Sequence, residues 1–248
     1  MPRLLKVLCC ALIVVAFGAF VASCGNSNAQ YRVVNAIPNT TTFDANGFAV
    51  YVNGASVFTN VTFPGVFPNS NGKYQNVSNN SNTLDLYTQS EAGQVGATPL
   101  LSSALNLGGG TQYTIVLAGN STASGATYPL AAHVMTDSIP TATFPASGDA
   151  GVRIIDASLN LGAVDIYDLP PGPVCDVSTP CPQNAKIASG LVYSGNINSS
   201  YQNVGLTNGQ VVIWVTAAGN GADAIVHGTY TLNALQNYTL VLADGGNP

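Results

Sequence analysis

The sequence predicts an all-β protein of two tandem immunoglobulin-like antiparallel β-sandwiches, and three observations predict it. Short segments rich in Val, Ile, Thr and Tyr alternate with Gly, Asn and Pro from residue 31 onward, the pattern of strands joined by tight turns. No stretch beyond Cys24 carries a helical apolar period. The order of segments is also written twice. RVVNA at 32–36 matches RIIDA at 153–157, AVYV at 49–52 matches AVDI at 163–166, YQNV at 74–77 recurs at 201–204, and YTIVLAGN from Tyr113 recurs as YTLVLADG from Tyr238. Offsets vary while order is kept, so a domain is duplicated rather than a short solenoid unit.

In the first unit, residues 31–136, strands are expected near 31–36, 48–52, 55–61, 73–78, 83–88, 98–106, 111–118 and 128–135. A Pro, Ser and Gly-bearing linker, 137–150, leads to the second unit, 151–248, with strands near 151–156, 163–168, 186–193, 200–204, 210–216, 224–232 and 236–243. Asn53–Gly54 and Asn208–Gly209 supply the positive φ that two-residue hairpins need. Gly108, Gly109 and Gly110 read as a turn before the strand from Gln112. Seven or eight short strands per unit fit a sandwich.

The units differ in two places. The second inserts residues 170–182, with five prolines and two cysteines, where the first has only Asn53, Gly54 and Ala55. The second also ends before a counterpart of Tyr128–Met135, so one edge of its sheet is expected to lack a strand. A cap by Gly245–Pro248 is the expected cover, and pairing with a partner strand is the alternative.

The N-terminus reads as an address. Arg3 and Lys6 precede an apolar run from Val7 to Val21, the charged and hydrophobic regions of a secretory signal, too short for a membrane span. Val21-Ala22-Ser23-Cys24 resembles the lipobox of bacterial lipoproteins. That resemblance implies a signal peptide over 1–23, lipidation (diacylglyceryl, with palmitate or a similar chain) of Cys24, and a lipidated tether over 24–30. Two or three acyl chains anchor stably, at about 0.8 kcal/mol per buried methylene. Gly25 rather than Asp follows the cysteine, so outer-membrane attachment is expected.

Without residues 1–23, Arg32, Lys73, Arg153 and Lys186 face eleven carboxylates, a net charge of about minus seven. Such a surface disfavours nucleic acid, whose binding needs clustered cations. Cys175 and Cys181 are the cysteines left in the folded part, and an even pair outside the cytosol is expected to form a disulfide. Zinc would need four Cys or His ligands, which this pair lacks.

The opening R-V-V-N-A-x-P, the V-Y-V-N-G strand and turn, and Y-T-x-V-x-A-G resemble the family called domain of unknown function 4397, found in bacterial secreted proteins and lipoproteins. The resemblance spans nearly all of 31–245 and implies a β-sandwich outside the cytoplasm, with no catalytic residues to carry over.

Chemistry is thinly supplied: two histidines, His133 and His227, and one glutamate. They are expected to be packing or surface groups, since neither has an evident partner set. No G-x-S-x-G, G-x-x-x-x-G-K or H-E-x-x-H motif occurs. Asp165, Asp168 and Asp176 lie close in sequence but lack calcium-loop spacing. Tyr74, Tyr87, Tyr201 and Trp214 are candidates for a sugar platform, although the matched places of Tyr74 and Tyr201 favour shared packing. Asp85 aligns with Val212 and Asp165 with Tyr51, so no acidic pair is duplicated. The expectation is a non-catalytic binding or structural module of the cell envelope, without metal or cofactor, whose partner is an envelope protein or glycan. The alternative is a carboxylate-based hydrolase such as a glycosidase.

Overall fold

A computed structural model describes residues 28–37, 47–63, 65–68, 74–78, 81–120, 127–137, 144–172, 175, 179–193, 197, 199–222 and 224–243. The signal peptide expected over 1–23, Cys24, Asp176 and the cap expected from Gly245–Pro248 lie outside these residues.

Among the described residues, the first unit contributes nine strands: β1 (Ala29–Asn35), β2 (Phe48–Val52), β3 (Ala55–Val61), β4 (Gly65–Phe67), β5 (Gln75–Val77), β6 (Ser81–Thr88), β7 (Leu101–Asn106), β8 (Gln112–Ala118) and β9 (Ala131–Thr136). The second contributes β10 (Asp149–Asp156), β11 (Val164–Leu169), β12 (Lys186–Leu191), β13 (Gln202–Gly205), β14 (Gln210–Ala217), β15 (Ala224–Thr231) and β16 (Asn237–Leu242). A 3-10 turn, Gln183–Ala185, precedes β12.

These strands form four sheets, ordered β3-β2-β6-β7, β4-β1-β8-β9 with β5 also on β1, β13-β10-β16, and β12-β11-β14-β15. The duplication is thus visible as pairing. β2–β3, β2–β6 and β6–β7 have their counterparts in β11–β12, β11–β14 and β14–β15. The parallel pair β1–β8 has its counterpart in β10–β16. Those parallel pairs depart from a purely antiparallel reading. Each unit's first strand joins the sheet of its late strand, which a long crossover permits and a hairpin does not.

Two small devices are repeated as well. Tyr113 Oη accepts a hydrogen bond from Gly108 N at 2.8 Å, and Tyr238 Oη accepts one from Asn233 N at 2.9 Å, each five residues upstream. These resemble the tyrosine corner of Greek-key sandwiches. Asn35 Oδ1 accepts from Ile37 N, and Asp156 Oδ1 from Ser158 N, both at 3.0 Å. Both predicted Asn–Gly turns have positive φ at each residue, 53° and 75° at Asn53–Gly54 and 54° and 73° at Asn208–Gly209.

Three apolar layers separate the four sheets. Val33, Val50, Leu84 and Ile115 fill the first sandwich, and Ile154, Ile166, Ile213 and Val215 fill the second. Between the two inner sheets lie Val34, Val116, Met135, Ile155 and Tyr193. Strand periodicity produces this sharing: Val33 turns into its own sandwich and Val34 into the middle layer, as do Ile154 and Ile155. Each fully buried aliphatic side chain contributes about 1.5–3 kcal/mol.

The register corrects one alignment. Tyr51 faces Asp85, and Asp165, the counterpart of Tyr51, faces Thr216. Asp85 therefore corresponds to Thr216 rather than Val212, because the connection from Val204 is longer than that from Val77. No acidic match results.

Candidate functional site

The middle layer holds a polar centre built from duplicated positions. Arg32 and Arg153 lie in the middle of the matching strands β1 and β10, Thr114 and Thr239 sit on the parallel neighbours β8 and β16, and Tyr74 and Tyr201 flank them. Arg32 Nε donates to Thr114 Oγ1 at 2.9 Å and its Nη2 to Thr239 Oγ1 at 3.1 Å. Arg153 Nη2 reaches the same two hydroxyls at 3.3 and 3.1 Å. The Arg32 guanidinium lies 5.2 Å from the Tyr74 ring centroid, and that of Arg153 lies 4.9 Å from Tyr201.

Asp137, just past β9, breaks this symmetry. It pairs directly with Arg153 Nη2 and lies 3.8 Å from Arg32 Nη2. It also accepts from Tyr74 Oη at 2.8 Å and from Thr114 Oγ1 at 2.8 and 2.9 Å. Arg153 and Asp137 side chains are 2% and 3% exposed, so the pair is removed from water. Burial, followed by the Asp137 charge, pushes the Tyr74 hydroxyl well above its usual value.

A second feature is an apolar groove of about 400 Å³ along β16. Its floor is Gly65 and Val66 of β4, its wall Thr239–Ala243, and its roof Val226, Gly228 and Tyr230 of β15, with Ile213 and Val215 inside. Val66, Val226 and Tyr230 are among the large hydrophobic residues left exposed. Among the described residues, no carboxylate, amine or thiol lines it. His227 does, stacked on Trp214 at 4.7 Å with rings 14° apart.

Of the residues singled out from sequence, Tyr74, Tyr201 and His227 fall in these two features and the others lie elsewhere. Cys175 and Cys181 form the expected disulfide, which packs with Tyr167, Leu169, Val212 and Trp214 on the outer face of the last sheet. Closing so short a loop contributes about 2 kcal/mol. Cys175→Ser with Cys181→Ser should lower unfolding free energy by about that amount in urea titration, and alkylation of the unreduced, denatured protein should find no free thiol at either position.

Asp165 is consumed structurally. Its carboxylate takes Lys186 Nζ at 2.7 Å, Gly190 N at 2.9 Å, Ser189 Oγ at 3.0 Å and Gly219 N at 3.0 Å. Burial acts to raise its pKa, but these donors prevail and bring it to about 2. With the folded value depressed, the stabilisation is complete above the ordinary value near 3.8 and is lost as pH falls toward 2. Asp165→Asn should flatten the fall in stability between pH 5 and 2, measured by urea unfolding at each pH.

Asp168 and Asp149 line an open cleft beside Pro170 and Thr207. Burial, and then the charge of Asp149, raises the Asp168 carboxyl above its usual value. Among the described residues, no three His, Cys, Asp or Glu side chains converge to hold a metal. His133 packs against Tyr193, with ring centroids 5.4 Å apart, and burial lowers its pKa.

The aromatic residues do not gather into one platform. Tyr74 stacks on the partly exposed Arg32 and Tyr201 on the buried Arg153, Tyr87 meets Tyr51 edge-on at 5.2 Å, and Trp214 is buried beneath the disulfide insert. The polar centre went unread because its members are scattered along the chain. The local signal was an arginine placed just before a pair of β-branched residues within a strand, twice, in RVV and RII.

The family described as domain of unknown function (DUF4397) matches residues 29–167. The chain belongs to the DUF4397 family. The match covers the whole first sandwich and runs on through β10 into β11. No curated protein matches this DUF4397 chain. Among solved structures it is similar to a streptococcal virulence factor described as binding alpha-glucan, with 9% identity and TM-score 0.26 over 86% of this chain and 93% of that one. It is also similar to the Bacillus anthracis TIE protein, with 7% identity and TM-score 0.24 over 88% of this chain and 34% of that one. The chain spans about a third of the latter's length. At these scores neither likeness carries an argument.

Proposed function

We propose that this DUF4397 protein is a non-catalytic binding module, held at a bacterial envelope by lipid on Cys24 and built as sandwiches over 31–136 and 151–248 with 137–150 between them. The groove beside β16 carries this reading. Exposed contiguous apolar surface is uncommon on soluble proteins and marks interaction sites. This groove offers apolar burial and strand-edge hydrogen bonds, and its described lining residues hold no acid and base pair. The partner class is an envelope protein or glycan.

A hydrolase is the second reading, favoured by one observation: Asp149 and Asp168 share a cleft. Incubating the full chain with envelope polysaccharides and assaying new reducing ends separates the two. No turnover is expected. Release of reducing ends that disappears in both Asp149→Asn and Asp168→Asn would replace binding with hydrolysis.

The lipid anchor is tested by fatty-acid labelling and mass spectrometry. Cys24→Ala should accumulate as an unlabelled, uncleaved precursor. Normal cleavage and membrane retention of that variant would remove the anchor from the proposal.

A further inference from the structure

We propose, resting on the reading of the groove as a binding surface, that the outer edge of β16 receives an extended strand of another polypeptide, antiparallel to β16 and bringing a carboxylate to Arg32. The first sandwich is the template. Its β8 is flanked by parallel β1 on one side and antiparallel β9 on the other. In the second, β10 flanks β16 on the first side, and among the described residues no strand pairs on the other.

The backbone there is in the right phase. Gly151 N donates to Gln236 O and Ala157 N to Leu242 O, so the even-numbered peptide groups of β16 face β10. Asn237, Thr239 and Val241 present theirs to the opposite edge. β8 has the same phase: Leu117 O accepts from Ala36 N on the β1 side, and Gln112 O from Asp137 N on the β9 side. Burial agrees. Ile115, Val116 and Leu117 are 0% exposed beside β9, whereas their counterparts Leu240, Val241 and Leu242 are only half-buried.

Charge selects the occupant. Arg153 holds the carboxylate that follows β9 and donates through Nη1 to Thr136 O at 3.0 Å. Arg32, its duplicate, stands 3.8 Å from that same carboxylate, and its side chain is 18% exposed against 2% for Arg153. Two guanidinium groups thus share one anion among the described residues, and a strand seated as β9 is would supply the second. β16 itself carries no acidic residue, and Asp244, which follows it in the sequence, lies outside the described residues; pairing with a second copy through β16 is the competing outcome that the dimer measurement below decides.

The probe is a labelled peptide with the sequence of residues 127–137, TYPLAAHVMTD, added to the full chain in detergent. Saturable binding is expected, with amide exchange slowed about tenfold at Thr239 and Val241 but not at Tyr238 or Leu240. A His133→Pro peptide, which loses a ladder donor, should bind at least tenfold more weakly. An Asp137→Asn peptide should bind severalfold more weakly, and so should the intact peptide to a Val226→Asp protein. Undiminished binding of the His133→Pro peptide would overturn strand pairing while leaving the groove a binding surface. Amides of Thr239 and Val241 already protected in the free protein would show the edge covered by the chain itself and overturn both. A dimer whose formation protects these amides would overturn the proposal in favour of self-pairing.

Discussion

Replacing Asp137 with alanine should cost about 3–5 kcal/mol, the usual effect of stripping one partner from a buried ion pair. Arg153 would keep its charge at 2% exposure, left among the described residues with hydroxyls, one carbonyl and the Tyr201 ring and with the like-charged Arg32 on the same hydroxyls. Water cannot reach it without parting the inner sheets. Asp137→Asn should lie between wild type and alanine, since it keeps hydrogen-bonding atoms but removes the anion. Pairing Asp137→Ala with Arg153→Met should recover much of the loss, because an apolar replacement of a buried pair is often neutral. Urea denaturation of the three variants measures this. A loss below about 1 kcal/mol in Asp137→Ala, the size of an exposed pair, would mean that the centre is solvated.

The second large effect is expected at Gly119, where β8 ends. Its φ is +109°, and a Cβ there would fall inside contact distance of the Pro129 carbonyl, which is backbone and has no side-chain freedom to yield. Relief would require pulling Pro129 away from the point where Asn120 N donates to Tyr128 O at 3.0 Å. Gly119→Ala should therefore cost about 3 kcal/mol or more, conformational strain and steric overlap acting together. Gly54→Ala is the control. Its φ is +75° but nothing lies near its Cβ, so about 1 kcal/mol of left-handed strain is expected. Equal losses at the two sites, in thermal unfolding, would contradict the steric argument.

The strands were legible because β-branched residues and turn residues alternate on a scale that local pattern captures. β4 was not: its three residues, Gly65–Phe67, sit between Pro64 and Pro68, a context that reads as loop. Its place is set by pairing with β1, Val34 opposite Val66. The facing of the inner sheets left a trace in the sequence. RVV, RII and TIVLA run apolar without alternation, the mark of strands buried on both faces, and here both faces are buried. Asp137 read as the start of a linker. Its burial depends on Arg153, Thr114 and Tyr74 meeting in space, and no local window contains them together. The duplicated Tyr74 and Tyr201 were legible as packing residues, but the cations they cover were not.

The position of β1 has a mechanical consequence. It lies inside its sheet, with Gln30–Asn35 paired to Gln112–Leu117 on one side and β4 and β5 on the other. Ladder hydrogen bonds run across the strands, so tension applied at Ala29 along the strand loads them together in shear instead of opening them one by one. A pull on the N-terminal end therefore meets its resistance at the first strand of the fold. Forced detachment is set by the rate of that one rupture, and the sheets behind it stay unstrained until β1 slips.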